Sequence, residues 1–330
     1  DTGFPEVPMA IADRLVVGVG DPFRGKFIDG HQSRQDVSTL GQLAHRLQGV
    51  YFNANEKQVP STALAGLAES GLLHRSGDTF TPSPRCRAEL AEPGGPDYVG
   101  GGLALWLDSI RAWSRLGEVL VRGGPLEARS LVRSPKSVAR FMAAMAAAPQ
   151  DRVDRIVDLC RGRHPDANSI LDVGGGPGHM TRAFIDRGLR GTLFDTAEVL
   201  DHVEDAYGLN HLEGLSLAPG DFTADPLPPG PFDLVLLSNV LHIYGPDTNR
   251  ALLRKTARVL PVGGVVAVVE FLRGRSRKAA RFGVQMLIKS DEGDAYSEAQ
   301  ISTWLTEVGF EDVRVDDLDA DRQLMTARKG

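Results

Sequence analysis

The sequence predicts an α/β chain in two parts, with a doubly wound parallel sheet in the C-terminal half and an α-helical winged-helix domain at the N-terminus. Three observations predict this. From Ser169 onward, strand-like and helix-like stretches alternate, which is the pattern of βα units built on a parallel sheet. A glycine-rich turn follows the first of these strands directly. At 330 residues, the chain also exceeds the usual length of one domain.

The N-terminal part is predicted to be an irregular arm and a winged helix, which together span residues 1–97. Residues 1–37 are rich in Gly, Pro and Asp and show little periodicity. An amphipathic helix begins near Ser38, and a second runs from Ser61 to a glycine stop at Gly71. The segment LLHRSGDTFTPSP is then typical of two short strands around a turn. Helix, helix and hairpin form the outline of a winged helix.

The middle of the chain, residues 98–162, is predicted to form helices that connect the winged helix with an α/β domain over residues 163–330. Gly123 and Pro125 mark a break within these helices. In the α/β domain, FDLVLLSNV and GGVVAVVEFL are nearly all apolar, as expected for parallel strands covered on both faces. SEAQISTWLTEVGF is typical of a capped helix, and VRVDDL and QLMTARK of a final antiparallel pair.

Charge and composition limit the classes of partner. The 42% of hydrophobic residues is ordinary for a globular enzyme, and the net charge of −6 argues against nucleic acid or an anionic membrane as the main partner. The would-be recognition helix, STALAGLAESG, carries no Lys or Arg, so its apolar face indicates dimerisation rather than DNA binding. The two cysteines, Cys86 and Cys160, indicate a reducing compartment, the cytoplasm, and match no zinc ligand set, so no metal is expected.

The strongest local signal is LDVGGGPGH, from Leu171 to His179. A strand ends there, and glycines let the backbone turn tightly and approach a ligand. The spacing alone is weak, because dinucleotide enzymes use a related loop. It departs from GxGxxG, however, and Pro177 removes an N–H where a pyrophosphate would need donors. The turn therefore favours S-adenosylmethionine, which has no phosphate.

Acidic residues at the next two strand ends support an adenosine ligand. Asp195 ends the second strand about 20 residues after the glycines, where an acid accepts hydrogen bonds from ribose hydroxyls. At the third strand end, Asp221 is placed to accept from the adenine amino group and Phe222 to cover the base. Each has an alternative interpretation: Asp195 as a helix cap, Asp221 as a turn residue and Phe222 as core.

At this point the C-terminal half resembles the S-adenosylmethionine-dependent O-methyltransferases of the plant caffeate, isoflavone and hydroxyindole type, and their bacterial tailoring relatives. The matching segments include LDVGGGPG, FDTAEVL, GDF, FDLVLLSNVLHIY, LPVGGVVAVVEF and AYSEAQISTWLTEVGF. The resemblance implies a Rossmann-like methyltransferase domain and an interlocked homodimer formed through the N-terminal domain. The cofactor-binding residues expected from the motifs and the resemblance are Asp172, Gly174, Gly175, Gly176, Gly178, Asp195, Thr196, Asp221, Phe222, Ser238 and Asn239.

His242 and Glu270 are the candidate catalytic pair. His242 lies just past the fourth strand and Glu270 ends the fifth, and neighbouring strands lie about 4.8 Å apart. A carboxylate bonded to one ring nitrogen leaves the other free to take a proton. By the resemblance, His242 falls at the position of the base and Glu270 at that of a supporting acid. The family's acid after the histidine is replaced by Ile243, and a second supporting glutamate by Ala295. A histidine satisfied within its loop is the alternative.

The predicted function is methylation of a hydroxyl on a small aromatic or polyketide-like metabolite. Three alternatives stay open: methylation of carbon, a non-methylating reaction such as hydroxylation, decarboxylation or a pericyclic step with the same cofactor, and a ligand-sensing DNA-binding regulator. The basic run RGRSRKAAR is interpreted as a solvated loop, with contact to an acidic substrate as the alternative. Side chains that are candidates for an apolar acceptor pocket, with ordinary helix packing as the alternative for each, are Trp106, Trp113, Phe141, Met145, Phe282 and Met286.

Overall fold

The fold was obtained as a computed structural model, which describes residues 61–91, 109–126 apart from 111, and 135–330. The chain divides into two compact units, Asp1–Asp108 and Ser109–Gly330. Within the described ranges, no helix combines the length and the apolar character that crossing a bilayer requires.

The first unit contains a helix and a hairpin. Helix α1 (Ser61–Glu69) is followed by the antiparallel strands β1 (Leu73–Ser76) and β2 (Thr79–Pro82), and then by the short helix α2 (Pro84–Cys86). These elements confirm the predicted second helix and the hairpin. The helix expected from Ser38 lies outside the described residues, as does Trp106. The buried side chains that hold this unit together are Leu67, Leu72, Leu73, Cys86 and Leu90.

The second unit begins with helices and continues as alternating strands and helices. After helical residues at 109–110 and 112–113, the helices are α3 (Leu116–Arg122), α4 (Pro135–Ala146) and α5 (Gln150–Arg163). Gly123 ends α3 in the left-handed conformation, with φ of 77°, at the predicted break. The elements that follow are β3 (Ser169–Val173), α6 (His179–Ile185), β4 (Arg190–Asp195), α7 (Ala197–Ala206), β5 (Leu215–Pro219), β6 (Leu234–Ser238), α8 (Pro246–Val259), β7 (Val265–Glu270), α9 (Ala279–Lys289), α10 (Glu298–Glu307), β8 (Phe310–Asp317) and β9 (Gln323–Lys329).

One mixed sheet of seven strands forms the centre of this unit, in the order β5-β4-β3-β6-β7-β9-β8. The first five strands in this order run parallel, and β9 pairs antiparallel with both β7 and β8, as the sequence predicts for the last two strands. Sequence order reverses between β3 and β6. In open α/β sheets, this switch point opens a crevice outside the carboxyl ends of the strands. The fold is therefore a Rossmann-like α/β domain.

Both faces of the sheet are covered. All six residues of β7 are buried, because alternate side chains pack into cores on opposite faces. Helices α8 and α10 cover one face, and α5 and α6 the other. Helix α10 begins with a capping box between Ser297 and Gln300, which confirms the capped helix predicted there. Helix α8 begins at Pro246, because proline suits the first turn of a helix.

Candidate active site

The glycine turn after β3 lies at the switch point of the sheet. Gly174, Gly176 and Gly178 have φ of 69°, 52° and 72°, a region that side chains other than glycine rarely adopt. A Cβ at Gly174 would lie 3.1 Å from Val240, and one at Gly176 would lie 3.3 Å from the sulfur of Met142. The turn therefore needs glycine both for its conformation and for its close packing.

Asp195, the last residue of β4, faces this turn. Its Oδ2 accepts a hydrogen bond from the Gly176 N–H at 3.0 Å, and its Oδ1 accepts one from the Thr196 N–H at 2.8 Å. Burial raises the pKa of this carboxyl group. The N-cap residue of α7 is Thr196, so Asp195 supports the glycine turn rather than capping the helix.

Asp172 lies beneath the turn, 1% exposed, near the end of β3. Its Oδ2 accepts a hydrogen bond from the Thr181 hydroxyl at 2.7 Å, while its buried Oδ1 has no partner among the described residues. Burial raises the pKa of Asp172 to about 7, and the charge of Asp195 acts in the same direction. A Cβ at Gly175 would lie 2.8 Å from this carboxyl group, so the turn closes directly over it.

The third strand end carries Asp221 and Phe222. Oδ1 of Asp221 accepts hydrogen bonds from the Thr223 N–H at 2.8 Å and from its hydroxyl at 2.6 Å, so this oxygen has the turn-forming role considered as an alternative. Phe222 is half-buried, and its ring meets that of Tyr244 edge-on at 5.0 Å. Burial, followed by the charges of Asp221 and Asp195, raises the pKa of Tyr244 to about 12, so this hydroxyl stays neutral.

Ser238 and Asn239 form the carboxyl end of β6. The Asn239 side chain donates from Nδ2 to Ser238 Oγ at 3.1 Å, and the Asn239 N–H donates to the carbonyl of Val269 at 3.0 Å. Asn239 has φ of 59°, a strained conformation for a residue other than glycine, and such residues cluster at functional sites.

His242 and Glu270 are in direct contact, as the sequence predicts for neighbouring strand ends. His242 Nδ1 lies 2.7 Å from Glu270 Oε2, and the His242 backbone N–H donates to Oε1 at 3.3 Å. Both residues are buried, at 7% and 3% exposure. Because an ionised carboxylate only accepts, Nδ1 carries the proton of the neutral ring and Nε2 is the nitrogen able to receive one. The loop histidine is therefore oriented by an acid.

One aromatic ring packs against the histidine, and a second ring packs against the first. Phe282 on α9 meets the His242 ring edge-on at 4.7 Å, and Phe271 lies 4.5 Å from Phe282. Trp113 donates from Nε1 to Gln285 Oε1, which ties the segment at 109–113 to the same helix, α9. Met286, also on α9, is 5% exposed.

Two of the expected pocket residues, Phe141 and Met145, lie on helix α4. Phe141 packs against the cluster that includes Leu193, Val199 and Leu200, beside β4 and α7, and therefore on the side of the glycine turn rather than beside His242. Met145 lies one helical turn further along α4 and is half-buried.

Sequence reasoning missed several residues at this edge of the sheet. Met142 is buried against Gly176, Phe271 stacks in the aromatic group, and Arg322 donates to the Asn239 amide. The sequence did offer a signal for Phe271, because this residue directly follows Glu270 at the end of β7. Arg322 precedes the last strand and gives no such signal, because only the pairing of β9 with β7 brings it here.

The described part of the chain contains no group of three or more His, Cys, Asp or Glu side chains placed to hold a metal ion. The residues at the carboxyl ends of β3, β4 and β5 suit an adenosyl ligand. A glycine turn that a Cβ would obstruct, a half-buried carboxylate and an aromatic ring lie at three neighbouring strand ends.

Comparison with known proteins assigns the family. Residues 124–311 match the model of the O-methyltransferase domain family. The chain belongs to this family of S-adenosylmethionine-dependent methyltransferases, and its cofactor is S-adenosylmethionine.

Two bacterial relatives cover most of the chain. This chain is 30% identical over 285 residues to the tetracenomycin polyketide synthesis 8-O-methyl transferase TcmO of Streptomyces glaucescens. The alignment covers 81% of each of the two chains. The chain is also 29% identical to the 3-hydroxy-5-methyl-1-naphthoate 3-O-methyltransferase of Streptomyces sahachiroi, over 69% of this chain and 68% of that one.

Solved structures confirm the fold. Human N-acetylserotonin methyltransferase in complex with SAM superposes with a TM-score of 0.70 at 21% identity, covering 92% of this chain and 100% of that one. PigF with SAH gives a TM-score of 0.73 at 22% identity, covering 98% and 100%.

Proposed function

We propose that the chain methylates a hydroxyl group of a small aromatic or polyketide-like metabolite, with His242 as the general base. The observation that carries this proposal is the buried pair of His242 and Glu270 at 2.7 Å, beside the glycine turn of the switch point. The acceptor class is supported by two Streptomyces relatives whose names describe a polyketide and a naphthoate O-methyltransferase.

The glycine turn and the strand-end residues would hold the cofactor. Asp195 would accept hydrogen bonds from ribose hydroxyls, and Phe222 would cover the adenine. Gly174, Gly175, Gly176 and Gly178 would let the ligand approach the backbone, with further contacts from Asp221, Thr196, Ser238 and Asn239. When bound, S-adenosylmethionine supplies a methyl group already activated by its sulfonium. The remaining tasks for the protein are to align the acceptor and remove its proton.

His242 would remove that proton. A phenol has a pKa of about 10 and is largely protonated at neutral pH, so a positioned base is useful. Glu270 holds Nδ1 and thereby leaves Nε2 to accept the proton. The carboxylate then also stabilises the imidazolium that forms. The edge of Phe282 limits rotation of the ring from another side.

The aromatic rings of Phe282 on α9 and Phe271 after β7 would contact the acceptor. Phe282 and Phe271 lie within 4.5 Å of each other, and Phe282 touches the catalytic ring. Offset and edge-to-face contacts of this kind suit a planar aromatic molecule. Trp113 and Met286 would extend the same wall, whereas Phe141 packs beside the predicted cofactor side.

The deciding experiment combines binding and turnover. Calorimetry with S-adenosylhomocysteine tests the cofactor site, and a panel of phenols and polyketides with methyl-labelled cofactor tests transfer. We expect labelled ether products and release of S-adenosylhomocysteine. Methyl on carbon would favour C-methylation, and a changed acceptor without released S-adenosylhomocysteine would favour a non-methylating reaction. Absence of cofactor binding would contradict the proposal altogether.

Replacing Asp195 by alanine is expected to weaken binding of S-adenosylhomocysteine about 10- to 100-fold, because hydrogen bonds to charged groups contribute about 1.5–3 kcal/mol. Calorimetry measures this directly. Asp201→Ala is a matched control, since Asp201 lies exposed on the neighbouring helix α7. Equal affinities of the Asp195 and Asp201 variants would remove Asp195 from the site.

We further propose that the chain acts as a cytoplasmic homodimer joined through a winged-helix domain within residues 1–97. Residues 98–162 would connect this domain to the cofactor-binding domain, 163–330. The helix and hairpin of the first unit support the winged helix, and two free, buried cysteines suit a reducing compartment. Light scattering of the full chain and of a chain lacking residues 1–97 tests the dimer. A full-length monomer would contradict it.

A further inference from the structure

Arg322 lies at the edge of the sheet that carries the candidate active site. In sequence it belongs to the turn between β8 and β9, at the end of the chain. The register pairs Glu270 on β7 with Gln323 on β9, so Arg322 lies next to the residue that follows Glu270. Its guanidinium carbon lies 4.1 Å from the centre of the Phe271 ring, and its Nη1 donates to Asn239 Oδ1. One arginine therefore contacts the loops that follow both β6 and β7.

The bond from Arg322 fixes the orientation of the Asn239 amide. A guanidinium group only donates, so Asn239 must present its oxygen to Arg322. Its NH₂ group then faces Ser238 and donates to Oγ at 3.1 Å. Because Ser238 Oγ accepts this bond, the hydroxyl proton of Ser238 is available for another acceptor. This order also secures Asn239 in its left-handed conformation, with φ of 59°.

Arg322 remains a cation in this setting. Burial and the charge of Arg152 lower its pKa to about 10, and attraction to Glu270 acts in the opposite direction, followed by Asp319 and Asp321. Among the described residues, no carboxylate oxygen lies within 4.0 Å of its guanidinium nitrogens. Arg322 is only half-buried and has no direct ion pair in the described part of the chain, so charge pairing does not explain where it lies; its contacts with Asn239 and Phe271 do.

The stacking contact leads to the catalytic histidine. Arg322 covers Phe271, Phe271 packs 4.5 Å from Phe282, and Phe282 meets the His242 ring at 4.7 Å with an interplanar angle of 86°. Arg322 thus supports both the Ser238–Asn239 end of β6 and the rings around His242.

We propose that Arg322 is a positioning residue for methyl transfer, which orients the Asn239 amide so that Ser238 presents its hydroxyl proton to the cofactor. This inference rests on the proposed function, because it places the cofactor at the carboxyl end of β6. It assigns no chemical step to Arg322. The arginine acts through Asn239 and through the Phe271 ring.

A double-mutant cycle on the full chain tests the inference by calorimetry with S-adenosylhomocysteine. Arg322→Gln and Asn239→Gly are each expected to weaken binding about tenfold, and the double variant to bind about as weakly as either single one. Glycine is chosen at position 239 because it adopts positive φ without strain. Affinity of Arg322→Gln equal to that of the wild type, or fully additive losses, would overturn the inference.

Arg275→Gln is the matched control, because Arg275 pairs with Glu298 at 2.9 Å and Asp317 at 3.0 Å on the surface. It is expected to leave the affinity and the KM for the cofactor unchanged, whatever shift it causes in the thermal midpoint. A merely structural Arg322 would behave in the same way, which would contradict the inference.

Two further results would also decide between these interpretations. If Arg322→Gln does not fold, the cycle is run with Arg322→Met, whose side chain can still cover Phe271 but has no donor for Asn239; wild-type affinity in that variant would also overturn the inference. Wild-type protein without affinity for S-adenosylhomocysteine would contradict the proposed function itself. Binding by the wild type together with an unaffected Arg322 variant would contradict only the role of Arg322.

Discussion

Replacement of His242 by alanine is expected to lower turnover by about 10²–10⁴-fold, which is the usual contribution of a positioned general base. The affinity for S-adenosylhomocysteine should stay within about twofold, because the His242 side chain is held by Glu270 and Phe282 rather than by the glycine turn. Steady-state kinetics with the best acceptor of the panel gives the first quantity, and calorimetry the second.

His211→Ala serves as the control for this variant, since His211 is exposed and lies outside the site. It should retain wild-type turnover. Turnover of His242→Ala at the wild-type rate would remove His242 from the mechanism. A parallel loss of cofactor affinity would instead assign His242 a role in binding.

A second large effect is expected at Asp172, whose pKa is raised by burial to about 7. At a pH below the ordinary pKa of the carboxyl group, the folded and the unfolded chain both carry its proton. Its ionisation then contributes nothing to the free energy of unfolding. Between about pH 4 and pH 7, the unfolded chain has released the proton while the folded chain retains it. Stability therefore falls as the pH rises through this window, by roughly 4 kcal/mol in total, at about 1.36 kcal/mol per pKa unit.

Asp172→Asn should remove this contribution while keeping an oxygen for the Thr181 hydroxyl. Denaturant unfolding from pH 4 to pH 8 is expected to show a smaller decline in the free energy of unfolding than the wild type shows. Asp233→Asn is the opposite control. Burial would raise the pKa of Asp233, but hydrogen bonds from Asn168 and Ser169 lower it, so its contribution is present at neutral pH and lost on acidification. Identical slopes for wild type and Asp172→Asn would contradict the buried-acid interpretation.

The parts of the site that the sequence predicts are those whose position follows from strand ends. The glycine turn, Asp195, Ser238 and Glu270 each come within a few residues of a buried strand, and parallel strands bring their carboxyl ends to one edge. The contact between His242 and Glu270 follows from the same rule.

The residues that were missed, and the surroundings of those that were named, depend on strand pairing or on helix rotation. Arg322 reaches the site because β9 folds back on β7 from the end of the chain, and no local pattern indicates that pairing. Phe141 and Met142 are neighbours on α4. Packing against α7, which the sequence does not reveal, determines which of these side chains faces the glycine turn. Asp172 has the motif position of a binding residue, but its carboxyl group lies below the turn.

Strand β7 pairs with β9 over all six of its residues and with β6 over Val265–Val269. Glu270 therefore ends one of the least mobile parts of the backbone, and the amides of Val266–Val268 just before it should exchange hydrogen with solvent among the slowest of the described residues. Helix α9, which carries Phe282, is no part of that ladder. Acceptor preference can then diverge among paralogues through exchanges on α9 while the acid–base pair keeps its geometry.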